Sequence, residues 1–459
     1  MMQNFLLINP IDFRYMRGDL GKKASQYLSE EAKIRYELQV EVAYVKALAK
    51  LGLCKHAIVK EVAAAAKKIH AEQVYKEEEK IKHETKALVK LLSESVSNDA
   101  KPYIHLGLTS YDVLDTANAL RYKHFVELVL LPELKSLEKV LISLALRYKA
   151  TPQIGRTHGQ HAEPITFGFA LAQYVSRIGD RILAIESASS RLRGKLSGPV
   201  GAYNAMTLFC KDPEKLEMLV LKNLGLKAAQ CSTQIVPREA LADLMHAIVS
   251  TMSVLANLAD DFRNLQRSEI AELAEYFEVK SQVGSSSMPH KRNPIAFENI
   301  KSFWKIFAPR MLTAYMDQIS EHQRDLTNSA SERFIPELLF ACTYASNRMR
   351  SALSRLYVDS SAMMQNLKKS QDIIAEPLYV LLSLQGVQNA HEKLRRIVQR
   401  TPNSASLIEL VLKDKSLGKY LRSVPKRQLQ LLQNPERYTG LAEKKAVKVC
   451  AYWKKKLRF

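Results

Sequence analysis

The chain has 459 residues, 47% of them hydrophobic, with 68 Lys and Arg against 47 Asp and Glu and a formal net charge of +21. That length exceeds what one hydrophobic core normally serves, so two or three domains are expected, and the hydrophobic content excludes wholesale disorder. Only 16 Gly and 16 Pro, set against abundant Leu, Ala, Lys and Glu, favour helices over a strand-rich fold.

The N-terminal MMQNFLLINP holds a short apolar run with no basic region before it, unlike a secretory signal. Residues 25–100 read as several medium helices, with Leu38, Val42, Val45, Leu48, Ala49 and Leu51 at helical spacing. The charged run 76–82 reads as a solvated face. Three long helical tracts follow. The first spans 112–149; Thr109-Ser110-Tyr111-Asp112 fits a capping box at its start, and Pro132 is expected to kink it. The second spans 165–193 and ends at Gly194. The third, 238–270, repeats Leu241, Leu244, Ile248, Met252, Leu255, Leu258, Phe262 and Leu265 every three or four residues, with Pro237 just before it. A fourth tract, 295–320, carries Phe297, Ile300, Trp304, Phe307 and Met311. Beyond about residue 345 the helices shorten, with loops near 401–404.

The expected fold class is all-α, with three helical domains: 1–108, a central long-helix bundle 109–344 carrying a loop at 284–294, and 345–459. Stripes this long, some bordered by apolar residues on a second side, suit a bundle that assembles into a multi-subunit helical core. The five cysteines (Cys54, Cys210, Cys231, Cys342, Cys450) are scattered, odd in number and without metal-ligand spacing, as reduced thiols of a cytoplasmic protein would be. No run of about 18 apolar residues stands out, so no membrane span is expected. The cationic excess reads as spread along the chain, with only Lys454-Lys455-Lys456-Leu457-Arg458 dense, as a solvated helix end. A site for small anions is therefore preferred to nucleic acid as a partner.

Residues 284–294, Gly-Ser-Ser-Ser-Met-Pro-His-Lys-Arg-Asn-Pro, are the most informative stretch. Glycine and serines suit a mobile backbone, and Pro289 and Pro294 stiffen its far side. Such a flap delivers hydroxyls (Ser285, Ser286), a cation (Lys291) and an amide (Asn293) together, which suits chemistry on a carboxylate beside a C–H bond. The segment 155–164, Gly-Arg-Thr-His-Gly-Gln-His-Ala-Glu-Pro, puts His158 between glycines ahead of a helix. Proton exchange near neutral pH and a structural turn are equally open for it. His158 and His161 lack a third metal ligand nearby, so a metal site is weakly supported. His105, Thr109 and Ser110 precede a helix N-terminus, where an anion is favoured, although the two hydroxyls also suit caps. His83 alone reads as a surface helix residue. Arg324, Ser329 and Arg333 can grip a phosphate or carboxylate, with surface ion pairing as the alternative. Gln234 and Arg238 precede the third long tract in the same manner.

The loop matches Gly-Ser-Ser-x-x-Pro-x-Lys-x-Asn at every position and so resembles the signature of the fumarase/aspartase superfamily. With HLGLTSYDVLDTANAL, GRTHGQHAEPITFG, QIVPRE and QRDLTNSASERFIPE, the chain from about 14 to 336 resembles the adenylosuccinate-cleaving branch of that superfamily. The resemblance implies anti β-elimination of fumarate from adenylosuccinate and from succinylaminoimidazole carboxamide ribotide, in purine biosynthesis, without metal or redox cofactor. It implies His158 as general acid, Ser285 as general base, Lys291 and Asn293 on the substrate carboxylate with Ser286 beside them, and His83 and His105 as supporting histidines. Arg14, Tyr15, Thr109, Ser110, Gln234, Arg238, Arg324, Ser329 and Arg333 would bind the substrate, Arg14 and Tyr15 at its phosphate. Glu84 stands where the family usually has Asp. A homotetramer with active sites shared between subunits is implied, with a nucleotide substrate and neither nucleic acid nor membrane as partner.

Overall fold

Apolar residues recurring every three or four positions become helices along nearly the whole chain in the computed structural model, which describes residues 7–278, 287–288, 290–369, 371–399 and 406–459. After a π-helical turn at Ile11–Tyr15 come α1 (Gly18–Leu28), α2 (Glu30–Lys50), α3 (His56–Ala66), α4 (Ala71–Ile81) and α5 (Glu84–Glu94). Ser29 caps α2, its hydroxyl accepting from Ala32 N–H at 3.1 Å. The first long tract is α6 (Ser110–Phe125) and α7 (Leu131–Arg147), joined by a π turn at Val126–Leu130. Pro132 is the reason: it has no N–H to return to the preceding turn, and Leu131 N–H reaches back five residues to Val126 O.

The segment around His158 is an antiparallel hairpin, β1 (Pro152–Thr157) and β2 (Gln160–Thr166), rather than a plain lead-in to a helix. Then come α8 (Phe167–Ser190), α9 (Pro213–Asn223) and α10 (Glu239–Leu265), with a two-residue parallel ladder between β3 (Arg193–Gly194) and β4 (Lys227–Ala228). By length and a mean hydropathy of 1.4 over its most apolar window, α10 could cross a membrane, but 61% of that window is buried inside the protein, as in a core helix. The tract expected over 295–320 is broken: α11 (Ile295–Phe307) stops before Pro309, and α12 (Arg310–Met316) begins after it. A long α13 (Ile335–Ser354) runs unbroken across residue 344. β5 (Leu273–Ala274) pairs with β6 (Tyr357–Val358). Short helices follow: α14 (Ser360–Lys369), α15 (Ala375–Leu384), α16 (Ala390–Gln399), α17 (Leu407–Lys413), α18 (Gly418–Ser423) and α19 (Lys426–Gln433), before α20 (Ala442–Lys456).

These elements form two compact units. One takes the chain up to Lys135 with Asp180–Ser253 and Ser302–Asn347; the other takes Ser136–Gly179, Val254–Lys301 and Arg348–Phe459. Within the first, Ile34, Leu38 and Val45 of α2 pack with Ile58 and Val62 of α3, Val74 of α4, Leu88 and Leu92 of α5 and Ile104. Within the second, the Phe167, Phe262 and Phe297 rings run in sequence at 6.3 and 5.5 Å between centroids. Trp453 of α20 fills the space where a Cβ on Gly179 would stand. Leu367, Leu378, Leu382, Leu394, Val411 and Leu421 close a separate cluster near the C-terminus.

Candidate active site

In the first unit the predicted binding residues gather around the start of α6. Its cap forms as expected: the Asp112 carboxylate accepts from Thr109 N–H at 2.9 Å. Asp112 is fully buried and also bonds Ser197 N–H, Gly198 N–H and the buried Lys195 ammonium, so the cap is fixed from a second segment. Ser110 opens the helix beside it. Gln234 reaches Thr109 Oγ1 at 3.5 Å and bonds Gln323 O through its own N–H at 3.1 Å, bringing the 322–333 stretch alongside.

That stretch carries Arg324, whose guanidinium lies 3.9 Å from the centre of the Tyr111 ring and donates to its hydroxyl. Nε and Nη1 of Arg324 are buried and have no hydrogen-bond partner among the described residues. Ser329 and Arg333 line a cavity of about 390 Å³ with Lys33, Glu84, Tyr111, Arg121 and Glu332. Arg238 lies within 3.1 Å of Asp115 and 2.6 Å of Glu332, which hold its guanidinium in the charged form and leave it engaged inside the protein. Burial pushes Glu332 up to about 7, against the lowering effect of Arg238. Arg14 is exposed on the π turn at the N-terminus, and the Tyr15 ring packs edge-on against Phe303 and Tyr344.

The two first-unit histidines differ. His83 is exposed and caps α5, its Nδ1 accepting from Lys86 N–H at 3.2 Å, which leaves the proton of the neutral ring on Nε2. His105 sits at φ +56 with Nδ1 2.6 Å from Glu41, whose other oxygen accepts His105 N–H at 3.1 Å. Burial works against the imidazolium there, but the hydrogen bond and charge of Glu41 prevail, and the His105 pKa is raised. Glu41 is fully buried in α2 and the sequence reading missed it. The only signal was a carboxylate inside the apolar run Leu38–Val45.

In the second unit His158 and Gly159 form the two-residue turn of the β1–β2 hairpin at φ +54 and +76, the signature of a type I′ turn. A non-glycine residue is strained there, and the turn thrusts an exposed imidazole out from the sheet. The hairpin base is clamped by fully buried Glu272, which pairs with Arg156 and accepts from Gln153 at 2.7 Å and Asn366 at 3.0 Å. Gly155 is required at the bulge, since a Cβ would meet Glu163 O at 2.7 Å.

Lys291 and Asn293 line a second cavity of about 1010 Å³, with Arg263, Arg267, His290 and Glu298 around them. Cations outnumber carboxylates on its wall. Glu275 caps the start of α11 by accepting from Ala296 and Phe297 N–H. Ser285 and Ser286 lie outside the described residues. The sequence reading did not single out Arg263 and Glu298, which lie on helices whose apolar stripes dominated the pattern, or Arg267 in the turn just after α10.

The all-α fold, the basic cavity at Lys291 and Asn293 and the loop preceding them define a lyase of the fumarase/aspartase superfamily. A family model described as lyase matches residues 14–304, and one described as adenylosuccinate lyase C-terminal matches 320–439. The chain belongs to the adenylosuccinate lyase family. It is 34% identical to an adenylosuccinate lyase of Archaeoglobus fulgidus over 97% of this chain and 98% of that protein. It is 36% identical to that of Pyrococcus horikoshii over the same shares. The fold is shared with 3-carboxy-cis,cis-muconate lactonizing enzyme of Pseudomonas putida, at TM-score 0.84 and 22% identity over 97% and 99% of the two chains. A fumarate lyase of Mesorhizobium superposes at TM-score 0.82 with 24% identity over 94% and 97%.

Proposed function

We propose that this lyase removes fumarate from adenylosuccinate, leaving AMP, and from succinylaminoimidazole carboxamide ribotide, leaving the carboxamide ribotide. The observation that carries the substrate assignment is identity of 34–36% to adenylosuccinate lyases along 97% of the chain. In each reaction a base takes the proton α to a carboxylate, that C–H pair becomes the new C=C bond, and the C–N pair leaves with nitrogen, which is then protonated. The intermediate bears a doubly charged carboxylate, so cations and donors must surround it. Lys291 and Asn293 on a basic cavity suit that task, with Arg263 and Arg267 adding to the positive field. Ser285 serves as the base, an assignment that requires the flap to close, exclude water and solvate the alkoxide with backbone N–H groups, because a serine hydroxyl is otherwise too weak an acid. His158 serves as the acid; its exposed position on a rigid turn supports delivery to a substrate held elsewhere.

The nucleotide phosphate is assigned to Arg324, Ser329 and Arg333, with Arg14 and Tyr15 completing it; the unpartnered buried nitrogens of Arg324 support this. We assign the chain to a homotetramer in the cytoplasm with active sites shared between subunits. Leu312, Met316, Ile319 and Leu326 are 62–73% exposed, which supports a second copy against that face. The test is the absorbance change on incubating purified enzyme with adenylosuccinate. Ser285→Ala is expected to bind the substrate without turning it over, and His158→Ala to lose at least about 100-fold in kcat. Near-normal turnover by either variant rejects its role, and cleavage of argininosuccinate in preference to adenylosuccinate rejects the substrate.

A further inference from the structure

The cationic excess is not evenly spread. Residues 1–347 carry 45 Lys and Arg against 39 Asp and Glu, whereas 348–459 carry 23 against 8 and so hold +15 of the net +21. The structure shows where part of that charge goes. α20 buries Ala442, Ala446, Cys450, Trp453 and Leu457 on one side. At 100° per residue, Lys444, Lys448 and Lys455 then fall on the opposite side, all exposed, in a line about 16 Å long. Tyr452, 57% exposed, stands between the last two in sequence, and Lys445 and Lys456 lie on the same side of the line as Tyr452.

Ordinary explanations do not account for this face. The helix dipole favours cations at Lys454–Lys456 but disfavours Lys444 in the first turn. Ion pairing offsets part of the charge on another basic helix of the region: Glu392 holds both Arg395 and Arg396 on α16, at 2.7 and 3.0 Å. On α20 the acidic residue, Glu443, is engaged with Lys149 at 2.9 Å, and no ion pair of Lys444, Lys448 or Lys455 occurs among the described residues. A row of like charges raises the energy of the isolated protein, and a polyanion relieves it.

We propose that this face of α20 docks single-stranded nucleic acid, with the lysines on successive phosphates and Tyr452 stacking on a base. Lysines supply charge without the forked donors that read bases, so recognition is independent of sequence. An exposed tyrosine among cations is the arrangement that serves unpaired bases. A membrane surface is disfavoured because the apolar side of α20 is already buried in its own unit.

The full-length enzyme is titrated against a fluorescein-labelled, mixed-sequence single-stranded RNA, with anisotropy followed between about 50 and 200 mM salt. Saturable binding is expected, with log Kd linear in log salt. Lys444→Gln/Lys448→Gln/Lys455→Gln should reduce that slope by roughly 2, at about 0.7 per lost phosphate contact. Tyr452→Ala should weaken binding about tenfold at unchanged slope, as loss of one stacked base predicts. Lyase activity of both variants should equal that of the wild type, which shows that they are folded. Absence of saturable binding, an unchanged slope in the triple variant, or capture by anionic vesicles with no RNA affinity overturns the proposal.

Discussion

At the scale of single residues, the site depends on carboxylates that the motifs do not contain. Glu41 fixes the His105 ring through Nδ1 and holds it more basic than usual. A group whose folded pKa is raised contributes stability at pH below its ordinary value of 6.5 and loses it as pH rises through the higher folded value. Glu41→Gln should therefore lower the His105 pKa, because the hydrogen bond and negative charge that favour the imidazolium are lost. The alkaline limb of the kcat/KM profile should move down with it while the acid side stays in place; an unmoved limb would free His105 from any charged role. Glu138 gives the opposite case. It is fully buried in α7, neither oxygen has a hydrogen-bond partner among the described residues, and burial pushes it up to about 9. It is neutral when folded and ionised when unfolded above its ordinary 4.5, so stability falls as pH rises through that window. Glu138→Gln should be more stable than the wild type at pH 8, by on the order of 2 kcal/mol, and nearly equal to it at pH 5. Urea midpoints at the two pH values check this, and a gap that does not widen with pH contradicts it.

Among elements, the hairpin shows how a turn becomes a tool. Two strands, a bulge at Gly155 and a His-Gly turn hold an imidazole in a conformation that a free chain rarely visits. Rigidity comes from Glu272, which ties β1 to Ile270–Glu272 and to Asn366 on α14. Glu272→Ala would leave the half-buried Arg156 without its counter-charge and should cost about 2 kcal/mol. It should also lower kcat more than it raises KM, because His158 is displaced and not removed. Equal kcat in the variant and the wild type would show that the turn holds its shape unaided. The helix pattern was legible wherever the apolar period ran on without interruption, as in α8 and α10. Prolines changed the local backbone at two places: at Pro132, where a disturbance was expected and takes the form of a π turn, and at Pro309, which was not expected to end α11. The hairpin stayed hidden because its residues lack the strict alternation of a half-buried strand, and Gly155 interrupts what alternation there is.

For the whole molecule, exposed apolar side chains and an exposed catalytic candidate point the same way. A lone chain would leave Leu312, Met316, Ile319 and Leu326 in water. Light scattering is expected to give four times the mass of one chain, and Leu312→Glu/Ile319→Glu to shift it to smaller species with loss of activity. A fully active monomer would remove the case for shared sites. The proposed site positions stand far apart along the chain, from Arg14 to Arg333, because each element offers polar groups at an end or a turn while its middle is spent on packing.

What the sequence by itself determined is the helical period, the lyase loop and the residue types that surround an anion, because each is written in local spacing or in side-chain chemistry. Tertiary structure alone decided that Glu41 meets His105 across 64 positions and that Asp112 fastens the α6 cap to Lys195. It also decided that Arg324 lies on Tyr111 with two nitrogens unclaimed. The reason is that a buried polar group takes its partner from whatever the packing brings near, and sequence separation carries no record of that.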